Sequence, residues 1–259
     1  MSCRRGNGLG TDWADWADWA RGCRSPPPPR LWLTRRRRMP PLPQAWVEEL
    51  FGAVPGGGGP RPCLAAAGPP FGAPQPPMLC MVAGVKEAHE LHITFPLPPM
   101  EAQYLAKPDE YVSHLIGHEG GGSLLSCLKA AGWASGLCAG VSDGGHERAS
   151  YGWLFSVGVT LTDVGLAAWQ SACGLVFAYI RMAAAPGPQR WIFDELAAIK
   201  EMEFRFSEEE EAADYCVRIA SKAHAFAPAH AVAGDSLLSL FDADAIADCL
   251  ARLTPHNAR

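Results

Sequence analysis

The apolar positions of this chain change period several times, and each change marks an element. Leu91, Ile93 and Phe95 alternate with His92 and Thr94 in HELHITFPLP, His89–Pro98, predicting a strand that prolines bring to an end. MLCMVAGVK, Met78–Lys86, is a short apolar run of β type just before it. Tyr111, Val112, Leu115 and Ile116 then fall at helical spacing behind Pro108, a residue suited to a first helical turn, and predict a helix through Gly117. GGGSLLSCLKAAGW predicts a second helix, with Ser123 as its N-cap and Gly132 as its stop. ASGLCAGV, Ala134–Val141, and SYGWLFSVGVTL, Ser150–Leu161, read as two strands joined by the turn-rich SDGGHERA.

Helical periods fill the rest. Thr162 offers an N-cap to a helix running to about Ala185, where Pro186–Pro188 break it. Its apolar part, Val164–Ile180, is interrupted by Gln170 and Ser171 and falls short of the ~18–20 residues of a membrane span, so it reads as a buried helix. QRWIFDELAAIKEMEFRF and SEEEEAADYCVRIASKAHAF are amphipathic, with Ser207 the expected cap of the second. DADAIADCLARL is a last helix, before TPHNAR. Nearer the start, Trp46, Val47, Leu50 and Phe51 share one face of QAWVEELFGAVP. The order β-β-α-α-β-β followed by helices predicts an α+β sandwich, a mainly antiparallel sheet with helices on one face.

Composition changes this picture at one end. Residues 1–40 hold nine Arg against three Asp, together with the repeat DWADWADWA, the run PPPP and the block Arg35–Arg38. Such a stretch builds no packed core and reads as a disordered basic tail. Gly56–Pro77 is Gly, Pro and Ala with few charges, a linker. The formal charge of the whole 259-residue chain is −5, so the body is acidic, which argues against nucleic acid as its partner. Nine widely spaced cysteines without a C-x-x-C pair or a secretory signal predict reduced thiols in an intracellular protein, cytoplasmic ahead of mitochondrial.

The candidate chemistry centres on HLIGHEGGGS. His114 and His118 stand one helical turn apart, and with Glu119 they suggest a zinc site. Glu119, however, lies about 100° around the helix from His118, and Gly120–Gly122 end the helix there. The glycines lack the Lys and hydroxyl of a phosphate loop, and a carboxylate beside them repels a polyanion. A substrate ammonium suits Glu119 and nearby backbone carbonyls better. AHELH, Ala88–His92, fits neither order of the zinc-peptidase motif, and Glu208–Glu211 read as a solvated helix start.

HITFPLP, EYVSHLIGHEGGGSLLSCLKAAGWASGL, SYGWLFSVGVTLTDVGL, PQRWIFDELAAIKEMEFRF and LTPHNAR together resemble the insulinase (pitrilysin) family of zinc metallopeptidases, over roughly Leu42–Arg259 outside the linker. The resemblance implies an insulinase-type sandwich. Residues 78–259 are similar to the second, non-zinc domain of the N-terminal half, residues 41–55 to the end of the preceding catalytic-type domain, and TPHNAR to the entry to a last strand that is missing. The family's H-x-x-E-H zinc helix does not occur in this sequence. No cofactor is therefore expected in the chain, zinc belongs to a missing catalytic domain, and the chain is expected to be inactive alone and to self-associate through an exposed sheet edge.

Residue by residue, the resemblance implies an exosite that anchors the free N-terminus of a peptide at His114, Gly117 and Glu119 on the helix end and at Leu137 and Ala139 on the following strand. Ala139 replaces a family glycine, and Glu110 stands where relatives have a histidine. The implied partners are peptide substrates and a zinc-bearing half of the same family. Two alternatives stay open: a structural paralogue like the core subunits of respiratory complexes, and a zinc hydrolase built on His114, His118 and Glu119.

Overall fold

Every strand of the sheet is positioned by one of them, β4 (Gly152–Leu161). It pairs antiparallel with β1 (Glu90–Leu97) on one side and β2 (Ala134–Val141) on the other, and the short β3 (Arg148–Ala149) folds back on its start. The computed structural model describes residues 42–54, 78–85, 88–142 and 147–259, which divide into two units, Met1–Arg61 and Pro62–Arg259. The arginine-rich stretch and the Gly/Pro linker lie outside the described residues. In the first unit the described element is α1 (Leu42–Phe51), whose Trp46, Val47, Leu50 and Phe51 are all exposed.

In the second unit, side chains sort by the period of two that a strand imposes. Ile93, Phe95 and Leu97 of β1 and Trp153, Phe155, Val157, Val159 and Leu161 of β4 are buried on one face. That face meets α2 (Pro108–Gly117) through Tyr111, Val112 and Ile116 and α3 (Leu124–Ala130) through Leu124 and Leu128. Also packed into this core are α5 (Trp169–Ala184), α6 (Arg190–Arg205) and α8 (Ala243–Arg252), through Val176, Phe193 and Ile246. Mixed helices on a mainly antiparallel sheet are the α+β architecture the pattern predicts.

Several local expectations are met at the atomic level. Ser123 Oγ accepts from Ser126 N at 3.1 Å, Thr162 Oγ1 accepts from Gly165 N at 3.0 Å to start α4 (Asp163–Ala167), and Gly132 takes the left-handed φ of 70°. Other expectations are corrected. Residues 78–85 form no strand: their run lacks alternation, so neither face can be buried, and Met81, Val82 and Val85 stand exposed. The long helix breaks at Ala168, whose ψ of 21° is not helical. Ser207 does not cap α7 (Ala212–Lys222); its hydroxyl donates back to Phe204 O, and Glu211 accepts from Ala213 N at 2.9 Å instead. β1 also runs through Pro96, tolerated because an edge strand can spare one N–H. On that edge Arg259 N donates to Thr94 O and Thr94 N to Arg259 O, a reciprocal pair. No described helix is long and apolar enough to cross a membrane.

Buried charge fixes α2 against its surroundings. Asp109, 4% exposed, accepts from Arg148 Nη2 at 3.1 Å, and that guanidinium lies 4.7 Å over the Trp153 ring. Burial raises the Asp109 carboxyl above its ordinary range, and Arg148 pulls it back only in part. Lys107, at the N-cap with a left-handed φ of 42°, is held there by its own ammonium, which donates to Leu237 O.

One backbone approach has no room for a side chain: a Cβ on Gly165 would overlap Trp133 O. Gly174, exposed within α5, has open space around it. Gly165→Ala is therefore expected to cost about 3 kcal/mol, and Gly174→Ala to gain about 0.5–1 kcal/mol. Urea midpoints of the two variants should move in opposite directions; a shared direction contradicts the packing described.

Candidate functional site

α2 ends where its sequence says it must. Gly117 is the last helical residue, His118 turns extended at φ −60° and ψ 138°, and Gly122 takes the positive φ of 82° that returns the chain to Ser123. Glu119 therefore projects from a turn. It is exposed, and among the described residues it forms no hydrogen bond or ion pair.

The same helix lies against β2. A Cβ on Gly117 would stand 4.0 Å from Ala139 N, so the absent side chain lets the helix end meet the strand's backbone. Leu137 and Ala139 are partly buried and pack on the core from β2. β2 pairs only with β4 among the described strands. The five residues singled out in the sequence thus divide into a helix end, His114, Gly117 and Glu119, and an adjoining strand, Leu137 and Ala139, in direct apposition at Gly117. Gly140 sits one step on, with a φ of 153° and Ser113 Oγ beside its open face.

His114 is half-buried. Burial holds its imidazole below the ordinary 6.5; Glu195 pulls the other way, and His118 and Lys200 add to the depression. Its ring stands edge-on to His118 at 6.2 Å between centroids. Nδ1 of His118 accepts from Gly120 N at 3.0 Å, so this ring is tied to the turn. Among the described residues no three His, Cys, Asp or Glu side chains form a group that could hold a metal ion. His114 and His118 stand one turn apart, and Glu119 follows beyond the last helical residue, Gly117.

Sequence reasoning missed the charges that surround this helix. Glu110 faces Lys200 of α6 at 3.6 Å, and burial raises its carboxyl above the ordinary range while Lys200 and Lys107 lower it. Lys200 and Glu195 lie far along the chain, and only packing of α6 on α2 brings them near His114. No local spacing carries that signal.

Comparison with known proteins gives this geometry a family. Residues 44–200 match the model described as the peptidase M16 inactive domain, and residues 204–259 match the middle or third domain of the same peptidases. The chain is 40% identical over 216 residues to a nardilysin-like protein of Arabidopsis thaliana, covering 83% of this chain and 21% of that protein. It is 34% identical over 215 residues to nardilysin of Homo sapiens, covering 83% and 19%, and 34% identical over 216 residues to the A-factor-processing enzyme of Saccharomyces cerevisiae, covering 83% and 20%. It thus spans about a fifth of the length of these relatives. The crystal structure of pitrilysin superposes with a TM-score of 0.62 at 26% identity, over 66% of this chain and 18% of that one. On the match across more than half its length, the chain belongs to the peptidase M16 family, the insulinase and pitrilysin group.

Proposed function

We propose that this chain is a non-catalytic, peptide-binding module that anchors the free N-terminus of a peptide and depends for proteolysis on a zinc-bearing half of the same family. The observation that carries the reading is Glu119: an exposed, unpartnered carboxylate on a glycine turn, beside a strand whose backbone Gly117 leaves approachable. A carboxylate there neutralises an α-ammonium, and a strand edge adds an extended peptide by backbone hydrogen bonds. Anchoring of this kind does no chemistry; it lowers the entropy cost of presenting a scissile bond elsewhere.

The matching family models are described as domains of peptidases, which supports peptides as the ligand class.

A fluorescent peptide with a free amino terminus should bind the chain without zinc. Glu119→Gln should weaken it about tenfold, the scale of a lost charge-assisted hydrogen bond. Acetylating the peptide's N-terminus should weaken binding to the parent protein by as much and leave the variant indifferent. Equal binding of both peptides to both proteins overturns the reading.

A pH dependence follows from His114. Its folded-state pKa is lowered from 6.5, so the neutral form prevails above that value and the proton enters only as the pH falls below it. The imidazolium then repels the peptide ammonium. Affinity should fall as the pH drops below about 6.5 and fall again as the peptide amine loses its proton near about pH 8, and His114→Gln should remove only the lower fall. Anisotropy titrations between pH 5 and 8 test this; a lower fall retained in the variant assigns the proton elsewhere.

A further inference from the structure

The solvent face of the sheet carries a second constellation, built across three strands. Glu90 and His92 of β1 lie on the same face, and His92 Nε2 is 2.9 Å from Glu90 Oε2. An ionised carboxylate only accepts, so in the neutral ring Nε2 carries the proton and Nδ1 is the atom able to take one. Opposite His92 in the ladder is Gly158 of β4, and opposite Gly158 on its other side is Cys138 of β2. A Cβ on Gly158 would stand 3.0 Å from Cys138 Sγ and 3.4 Å from His92 Nδ1. Thiol and imidazole thus converge on the space that glycine leaves empty. Gly158 itself is buried, while Cys138 and His92 are exposed.

We propose that Cys138, with His92 and Glu90, is a nucleophilic thiol site for exchange with low-molecular-weight disulfides. This is independent of the peptide-anchoring reading. In the step, the Cys138 proton passes to His92 Nδ1, directly after a rotamer adjustment or through one water, and the thiolate attacks one sulfur of the disulfide. The S–S bond of the small molecule breaks as a new one forms to Cys138. The departing thiolate takes the proton from the imidazolium, so the small disulfide is the oxidant and one half of it leaves reduced. Acyl transfer does not fit the same atoms: it needs backbone donors for an oxyanion, and those of β4 at Gly158 lie between two paired strands. Disulfide exchange needs no such donors. Cys249 shows the contrasting case: buried, its thiol is pushed up to about 12, chiefly by burial, and it is inert by the same logic.

The test uses the full chain, with hydroxyethyl disulfide as the probe and site-resolved mass spectrometry as the readout. Exposed Cys127 and Cys216 serve as internal references. At pH 7 Cys138 should form its mixed disulfide at least about threefold faster than either, a modest gain for a thiol whose attack a neighbouring base assists. His92→Ala should bring Cys138 to the reference rate. Gly158→Ala, which keeps every reacting group but fills the shared space, should do the same, and it serves if the histidine variant fails to fold. Cys138 reacting no faster than Cys127 and Cys216, or keeping its advantage in both variants, overturns the proposal.

Discussion

The alternation of β4 is the constraint on which the rest of the structure depends. Paired on both sides, the strand has its backbone groups committed, and its side chains can only point in or out. Trp153, Phe155, Val157, Val159 and Leu161 point in and form the floor on which the helices rest. A slip of one residue would exchange this floor for Ser156, Gly158 and Thr160. The positions of α2 and β2, and hence of the candidate site, are set relative to that register.

Much of this was legible in the sequence because the signals are local. Pro108, Ser123, Gly132 and Thr162 each act within a few residues of themselves, and each does in the fold what its chemistry predicts. The errors arise where a local signal competes with another. Ser207 is a good cap by type, yet its hydroxyl bonds backward to Phe204 O, leaving Glu211 to start the helix. The run Met78–Lys86 has the composition of a strand without the alternation that would give it a buried side. β3 has two residues and no pattern to detect.

The anchor residues were named from the family resemblance, not from spacing. What the fold adds is the juxtaposition of Gly117 with Ala139 N, which joins a helix end to a strand. The surroundings of His114 were not legible, since Glu195 and Lys200 belong to a helix whose docking no short motif records. The cluster over Gly158 was invisible for a related reason: Glu90 with His92, Cys138 and Gly158 lie on three strands, and only the ladder makes them neighbours. That Cys138 lies across the sheet from His92 was not foreseeable.

The two faces of the sheet carry separate obligations. The inner face answers to packing density, where a change of one methylene is felt throughout the core. The outer face, with Thr94, Ser156, Gly158 and Cys138, answers to water and to whatever approaches from it. Because the backbone keeps the two sets of positions apart, substitutions can accumulate on the outer face while the inner one stays fixed. A domain that has no catalytic duty can in this way try new surface chemistry on an old framework without first unlearning how to fold.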